Sequence, residues 1–98
     1  MDDRARVLTP PAELDIASAP HLVTDVLDLL MRGERNLVLD FAGVSLIDSA
    51  GIGGLLSAER RVRAHGGELV IANVSAHVRH VFEVTGVARS LTVQYEST

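Results

Sequence analysis

The chain has no cysteine, so it holds neither a disulfide nor a thiolate metal site. Aromatic residues are scarce, at 3%. The basic side chains form no tract, and the formal net charge is −4. Without a basic stripe or aromatic platforms, the surface offers little to nucleic acid or to a membrane surface. No apolar stretch approaches the ~18–20 residues of a membrane span. The opening residues, Met1-Asp2-Asp3-Arg4, are charged and lack the apolar region of a signal peptide. A cytoplasmic protein is the expectation.

What is present points to a folded domain. Hydrophobic residues make up 47% of the chain, too many for a disordered tail. The 98 residues are read as one domain, 1–98. A chain of this size buries roughly 60–70% of its unfolded surface, enough for one modest core.

Taken in order, Arg4 to Leu8 reads as a short strand, with Ala5, Val7 and Leu8 turned inward. Thr9-Pro10-Pro11 ends it, because prolines cannot donate to a sheet ladder. Ala12 to Asp15 is expected to be loop. Ser18 is placed as the N-cap of a first helix, with Pro20 tolerated in its first turn. Leu22, Val26, Leu29 and Leu30 recur at helical spacing, backed by Val23 and Leu27. Gly33 is the expected cap at the other end. Leu37 to Phe41 is a near-continuous apolar run, the mark of a buried parallel strand. Gly43 turns the chain, and Val44, Leu46 and Ile47 are a short apolar return into the stretch that begins at Asp48.

A second helical pattern runs from Ile52 to Ala64, with a stripe at Ile52, Leu55, Leu56 and Val62. Glu59, Arg60, Arg61 and Arg63 are expected on its wet side. His65-Gly66-Gly67 is a strong stop. Glu68 to Ala72 is the next strand. Ser75 caps a third helix with Val78, Val81 and Phe82 inward, and Gly86 ends it. Leu91, Val93 and Tyr95 alternate with Thr92 and Gln94, which predicts a half-exposed edge strand. The order β-α-β-α-β-α-β argues an α/β layer fold with right-handed crossovers.

The stretch Asp48-Ser49-Ala50-Gly51-Ile52-Gly53 joins strand-side chain to the second helix. A serine there lies near unpaired amides and the positive end of the helix dipole. Such a hydroxyl can cap the helix, or carry a phosphate beside those amides. Asp48 can equally be the cap, leaving Ser49 exposed in the first turn. The glycines remove bulk and admit a close approach.

Other chemistries fit poorly. Ile47 stands where a nucleophile elbow needs its first glycine, and His65, His77 and His80 have no orienting carboxylate at a telling spacing. Gly51-Ile52-Gly53 lacks the third glycine of a dinucleotide fingerprint, Leu56 standing in its place. His77 and His80 read as a solvated helix face rather than metal ligands. Asp15 reads alone as a turn or cap residue, and Asp40 as a group that satisfies loop amides. No enzyme, metal or cofactor reading is supported.

The residues resemble the STAS domain and, within it, the anti-sigma factor antagonists. Four motifs carry the resemblance. Asp48-Ser49-Ala50-Gly51-Ile52-Gly53 matches Asp-Ser-(Ser or Thr)-Gly-(Leu or Ile)-Gly. Ala12-Glu13-Leu14-Asp15 matches Gly-Glu-Leu-Asp. Gly66-Gly67-Glu68-Leu69 and Val81-Phe82-Glu83-Val84-Thr85-Gly86 follow in the family's order. The likeness runs from about Val7 to Tyr95 and implies a single-layer mixed sheet packed with helices.

The resemblance also implies a mechanism. An anti-sigma factor, a GHKL-type serine kinase, would be the partner and would phosphorylate Ser49. Unphosphorylated antagonist would bind that kinase and release a sigma factor, and a PP2C-type phosphatase would reset the modified form. Glu13, Asp15, Asp48, Ala50, Gly51, Ile52 and Gly53 would form the docking surface. Two other readings stay open: a STAS subunit of a lipid-trafficking ABC transporter, and a domain that itself binds nucleotide. Ala50 departs from the motif by removing the second hydroxyl, leaving Ser49 the sole acceptor in it. Ala12 replaces a loop glycine. Many relatives carry a further strand before Arg4–Leu8, so an open sheet edge and a homodimer by edge pairing are expected here.

Overall fold

The apolar runs around Val38 and Val70 become the central strands of the sheet in the computed structural model, which describes residues 5–96. In chain order the elements are β1 (Arg6–Leu8), β2 (Glu13–Leu14), α1 (Ala19–Met31), β3 (Asn36–Asp40), β4 (Leu46–Ile47) and α2 (Ser49–Ala64). They continue with β5 (Glu68–Val74), α3 (Ala76–Thr85), a 3₁₀ turn (Val87–Ser90) and β6 (Thr92–Tyr95). The main sheet has the order β1-β3-β5-β6, and β2 pairs with β4 in a separate two-stranded ladder. Every pairing among the described residues is parallel, where the resemblance implied a mixed sheet. The α/β class stands, because each return between main-sheet strands runs through a helix.

Register fixes which side chains meet. Leu37 lies opposite Leu69, and Leu39 opposite Ile71. These four are buried, while Val38, Val70 and Ala72, on the other face, are only half-buried. Side chains alternate across a strand, so one face packs the core and the other stays partly open. The continuous run Leu37 to Phe41 therefore does not mean burial on both sides. Leu22, Val26, Leu29 and Leu30 of α1 are buried as their spacing predicts, and α1 packs along α2. Phe41 and Phe82 meet in the same core with ring centroids 6.4 Å apart. Each fully buried leucine or phenylalanine here contributes ~1.5–3 kcal/mol.

Several local expectations are corrected. Ala5 and Val7 are exposed, and Leu8 alone of that strand leans on the core. β1 sits at the sheet edge, where one flank has no neighbour among the described strands. Arg4 lies outside the described residues. Ala12 to Asp15 is not all loop, since Glu13–Leu14 pairs with Leu46–Ile47. β5 runs on to Val74, past the expected end at Ala72. It does so through a bulge at Ile71–Val74, with Asn73 at φ +59°. Gly33 follows the cap residue Arg32 rather than being the cap. Glu59 is buried on the core side of α2, only 7% exposed, where solvent was expected.

β6 is the half-exposed edge strand that its alternation predicts. Ser75 caps α3 by accepting from the Val78 amide at 3.3 Å. Gly86 ends that helix at φ +74°, a conformation glycine adopts without strain.

Candidate functional site

The short β2–β4 ladder builds the site. The amides of Ser45 and Leu46 both donate to the Ala12 carbonyl, at 2.8 and 3.1 Å. One step further along, Glu13 lies opposite Leu46 and Leu14 opposite Ile47. The Asp48 amide then donates to the Leu14 carbonyl at 3.2 Å. The chain that follows Leu14 therefore emerges beside the chain that follows Ile47. Parallel pairing brings Asp15 next to Asp48, and so to the start of α2.

Asp48 is the cap of α2. Its backbone is extended, and its Oδ1 accepts from the Gly51 amide at 2.9 Å. Its carbonyl accepts from the Ile52 amide at 2.9 Å, the first bond of the helix. Ser49 consequently falls at the first helical position, exposed, and its hydroxyl has no partner among the described residues. Asp48 thus takes the capping role that the sequence left open between the two.

The glycines divide into two kinds. Gly51 is buried, and a Cβ on it would fall onto the Leu14 carbonyl. Its lack of a side chain serves contact inside the domain, not a flat docking surface. Gly53 is exposed with open space around it, as a surface position requires. Ala50 and Ile52 are half-buried.

Glu13 is exposed on β2. Asp15 is half-buried and works locally: its Oδ1 accepts from the amides of Ala17 and Ser18, at 3.0 and 3.1 Å. Ser18 occupies the cap position of α1, yet its side chain makes no cap bond. It lies in a helical conformation that turns the hydroxyl back toward the preceding loop. There the hydroxyl donates to the Glu13 carbonyl at 2.8 Å and accepts from the Asp15 amide at 2.9 Å.

Sequence reasoning missed the apolar residues around Ser49. Ile16 is 77% exposed in the loop after β2, and Leu46 is 45% exposed on β4. Neither has a periodicity signal, because neither belongs to a long element. Charge there is of one sign: Glu13, Asp15 and Asp48 contribute carboxylates, and no arginine pairs with them among the described residues.

Ser49 itself is exposed. No base is bonded to Ser49, and the described residues hold no group of three metal-ligating side chains. It can accept a group delivered from outside. Asp40 performs the loop role expected of it, accepting from the Ala42 amide and the Asn73 side chain, each at 3.0 Å. No helix among the described residues is long and apolar enough to cross a membrane.

The sequence matches the family model of the STAS domain over residues 1–97. The chain belongs to the STAS domain family. It is similar to BtrV of Bordetella bronchiseptica, a protein named for the role of an anti-sigma factor antagonist. Identity there is 37% over 70 residues, 71% of this chain and 60% of BtrV. The aligned part thus spans less than two thirds of that relative's length. The anti-sigma-B factor antagonist of Staphylococcus aureus is 30% identical over 74 residues, 76% of this chain and 68% of that protein.

Two solved structures superpose closely on this fold. One of the same antagonist class, from Thermotoga maritima, has a TM-score of 0.84 at 24% identity, covering 96% of this chain and 81% of that one. A sulfate transporter family protein from Wolinella succinogenes reaches 0.83 at 19% identity, covering 94% and 77%. At those identities the two structures speak for the fold alone.

Proposed function

We propose that this STAS domain is an anti-sigma factor antagonist whose docking surface is switched by phosphorylation of Ser49. One observation carries the reading. Asp48 takes the N-cap, which leaves the Ser49 hydroxyl exposed and unbonded among the described residues at the first position of α2. The sequence relatives, named as antagonists, support the same role. The partner is an anti-sigma factor with serine kinase activity of the GHKL type. It docks over Ser49, Gly53, Ile52 and the flanking Glu13. A PP2C-type phosphatase removes the mark, and the domain itself is not an enzyme.

The physics suits a surface switch. A phosphate on Ser49 adds about −1.5 to −2 charges. The first amides of α2 tolerate that charge, so the helix need not unfold. The neighbouring carboxylates of Glu13, Asp15 and Asp48 offer no neutralising group. An interface that closes over this dianion must desolvate it beside like charges. A penalty of ~2.7 kcal/mol already weakens binding about a hundredfold.

The test is intact-mass spectrometry of the protein from its own cells, with and without phosphatase treatment. A phosphatase-sensitive phosphate is expected on Ser49 and absent from Ser49→Ala. Equal modification of wild type and Ser49→Ala would place the acceptor elsewhere. A second reading, the regulatory domain of a membrane transport system, draws on the transporter-family fold likeness. Co-purification with an ATPase subunit, and no phosphate on Ser49 under any growth condition, would favour it.

A further inference from the structure

A cavity of about 160 Å³ opens between the end of β1 and the first turns of α1, and Ser49 is not among its lining residues. Leu8, Pro10, Pro11 and Leu22 form its apolar walls. Two consecutive prolines make one of those walls stiff, since their φ angles are locked. An enclosed apolar cavity near this size takes up a single six-membered ring; this one is open to solvent, so a ring would enter from its mouth. Two side chains with polar ends line it from α1, His21 and Asp25, both exposed. An apolar floor with a few directed polar groups is the usual composition of a small-molecule site.

The sign of the ligand's charge follows from what is already satisfied. The first turn of α1 has no amide to spare for an anion. The amides of Ser18 and Ala19 donate to the Asp15 carbonyl, at 3.2 and 2.8 Å. Those of His21 and Leu22 donate to the Ser18 carbonyl, at 3.1 and 3.2 Å. Pro20 has no amide hydrogen at all. The one formal charge lining the cavity is the Asp25 carboxylate, and no arginine pairs with it among the described residues. The His21 ring, one turn before Asp25 on the same face, adds a hydrogen-bonding nitrogen.

We propose that this cavity binds a compact organic cation: an amine whose apolar body is about the size of one ring. The ring packs against Leu8, Pro11 and Leu22, and the ammonium group pairs with Asp25. Ser18 links this site to the proposed docking loop, because this lining residue also holds the Glu13 carbonyl and the Asp15 amide through its hydroxyl.

The probe is benzylamine, titrated into the ¹⁵N-labelled full chain and followed by amide chemical shifts. Saturable shifts confined to Leu8, Thr9 and Ser18–Asp25 are expected, with millimolar affinity for so small a ligand. Benzyl alcohol, which has the same ring without the charge, should bind about tenfold more weakly or worse. Asp25→Asn, a surface change that leaves the remaining amide shifts in place, should lower benzylamine to the alcohol's affinity. Unsaturable or scattered shifts would overturn the site. Equal affinities for amine and alcohol, or an unaffected Asp25→Asn variant, would overturn its charge preference.

Discussion

A Cβ on Gly51 would clash with the Leu14 carbonyl oxygen. That oxygen also accepts from the Asp48 amide, so the start of α2 is pinned to β2 at one atom. Gly51→Ala must therefore push backbone against backbone. Overpacking of this kind costs ~1–3 kcal/mol and more where nothing can yield. A drop in Tm of about 10 °C or more is expected. Gly53 gives the contrast, since a methyl there meets nothing. Gly53→Ala should raise stability by ~0.5–1 kcal/mol, because alanine is the better helix former. Thermal melts of the two variants beside wild type decide both. A Gly51→Ala variant as stable as wild type would show that the contact is slack.

Asp40 ties two strand ends together. Its Oδ1 accepts from the Asn73 side chain and the Ala42 amide, and these bonds, Asn73 first, hold its carboxyl below the ordinary value of 3.8. A carboxyl depressed in the folded state contributes stability that is complete above its unfolded pKa. That contribution is lost as the pH falls through the folded value. Wild type should therefore lose more stability than Asp40→Asn as the pH falls from about 6 to below about 3. Urea midpoints across that window test it, and parallel curves for the two proteins would refute it. Asn73→Gly, which keeps the positive φ and removes the bond, should track Asp40→Asn.

The core was legible and the site only half so, for reasons visible in particular residues. Leu22, Val26, Leu29 and Leu30 announce their burial because a helix longer than three turns repeats its pattern. Leu39 and Ile71 sit in runs long enough to read as strands. Glu13–Leu14 and Leu46–Ile47 are too short for any period, and their pairing depends on backbone bonds across more than thirty residues. Asp48 and Ser49 can both cap a helix. Only the bond to the Gly51 amide separates cap from exposed hydroxyl. Ile16 carries no pattern at all, and its exposure becomes visible only in the fold.

Glu59 is a different failure, since it lies with Leu55 and Val62 at helical spacing and was read by its charge alone. Its Oε2 takes two bonds from Arg63, at 2.6 and 2.9 Å. Breaking this pair from the arginine side leaves a buried carboxylate with less support. Arg63 is itself solvated, so Arg63→Ala should cost only ~1 kcal/mol. A hydrophobic replacement of similar length, Glu59→Met, should be neutral or stabilising. In that background Arg63→Ala should cost almost nothing. A double-mutant cycle by chemical denaturation isolates the term. An undiminished Arg63 effect in the Glu59→Met protein would assign the cost to lost packing instead.

Ile16 and Leu46 give the proposed interface its apolar content. Both lie beside the start of α2, in a loop and a strand joined by the β2–β4 ladder. Interfaces draw most of their energy from a few buried apolar or aromatic anchors, with charge at the rim. A partner that covers both Ser49 and the loop after β2 covers Ile16 as well. Ile16→Ala should then weaken binding to the anti-sigma factor by about tenfold, and Ile16→Lys by more. Neither change should lower Tm, since the side chain makes no core contact. Met31 supplies the control. It is 79% exposed, at the far end of the 13-residue α1, about 18 Å along the helix from its start. Met31→Lys should leave the affinity unchanged. Calorimetric titration of the three variants, once intact-mass and co-purification experiments have named the kinase, separates the outcomes. Loss of binding in Ile16→Lys alone locates the interface at the β2–α2 face. Loss in Met31→Lys alone moves it to the other end of α1 and removes the electrostatic basis for a switch at Ser49.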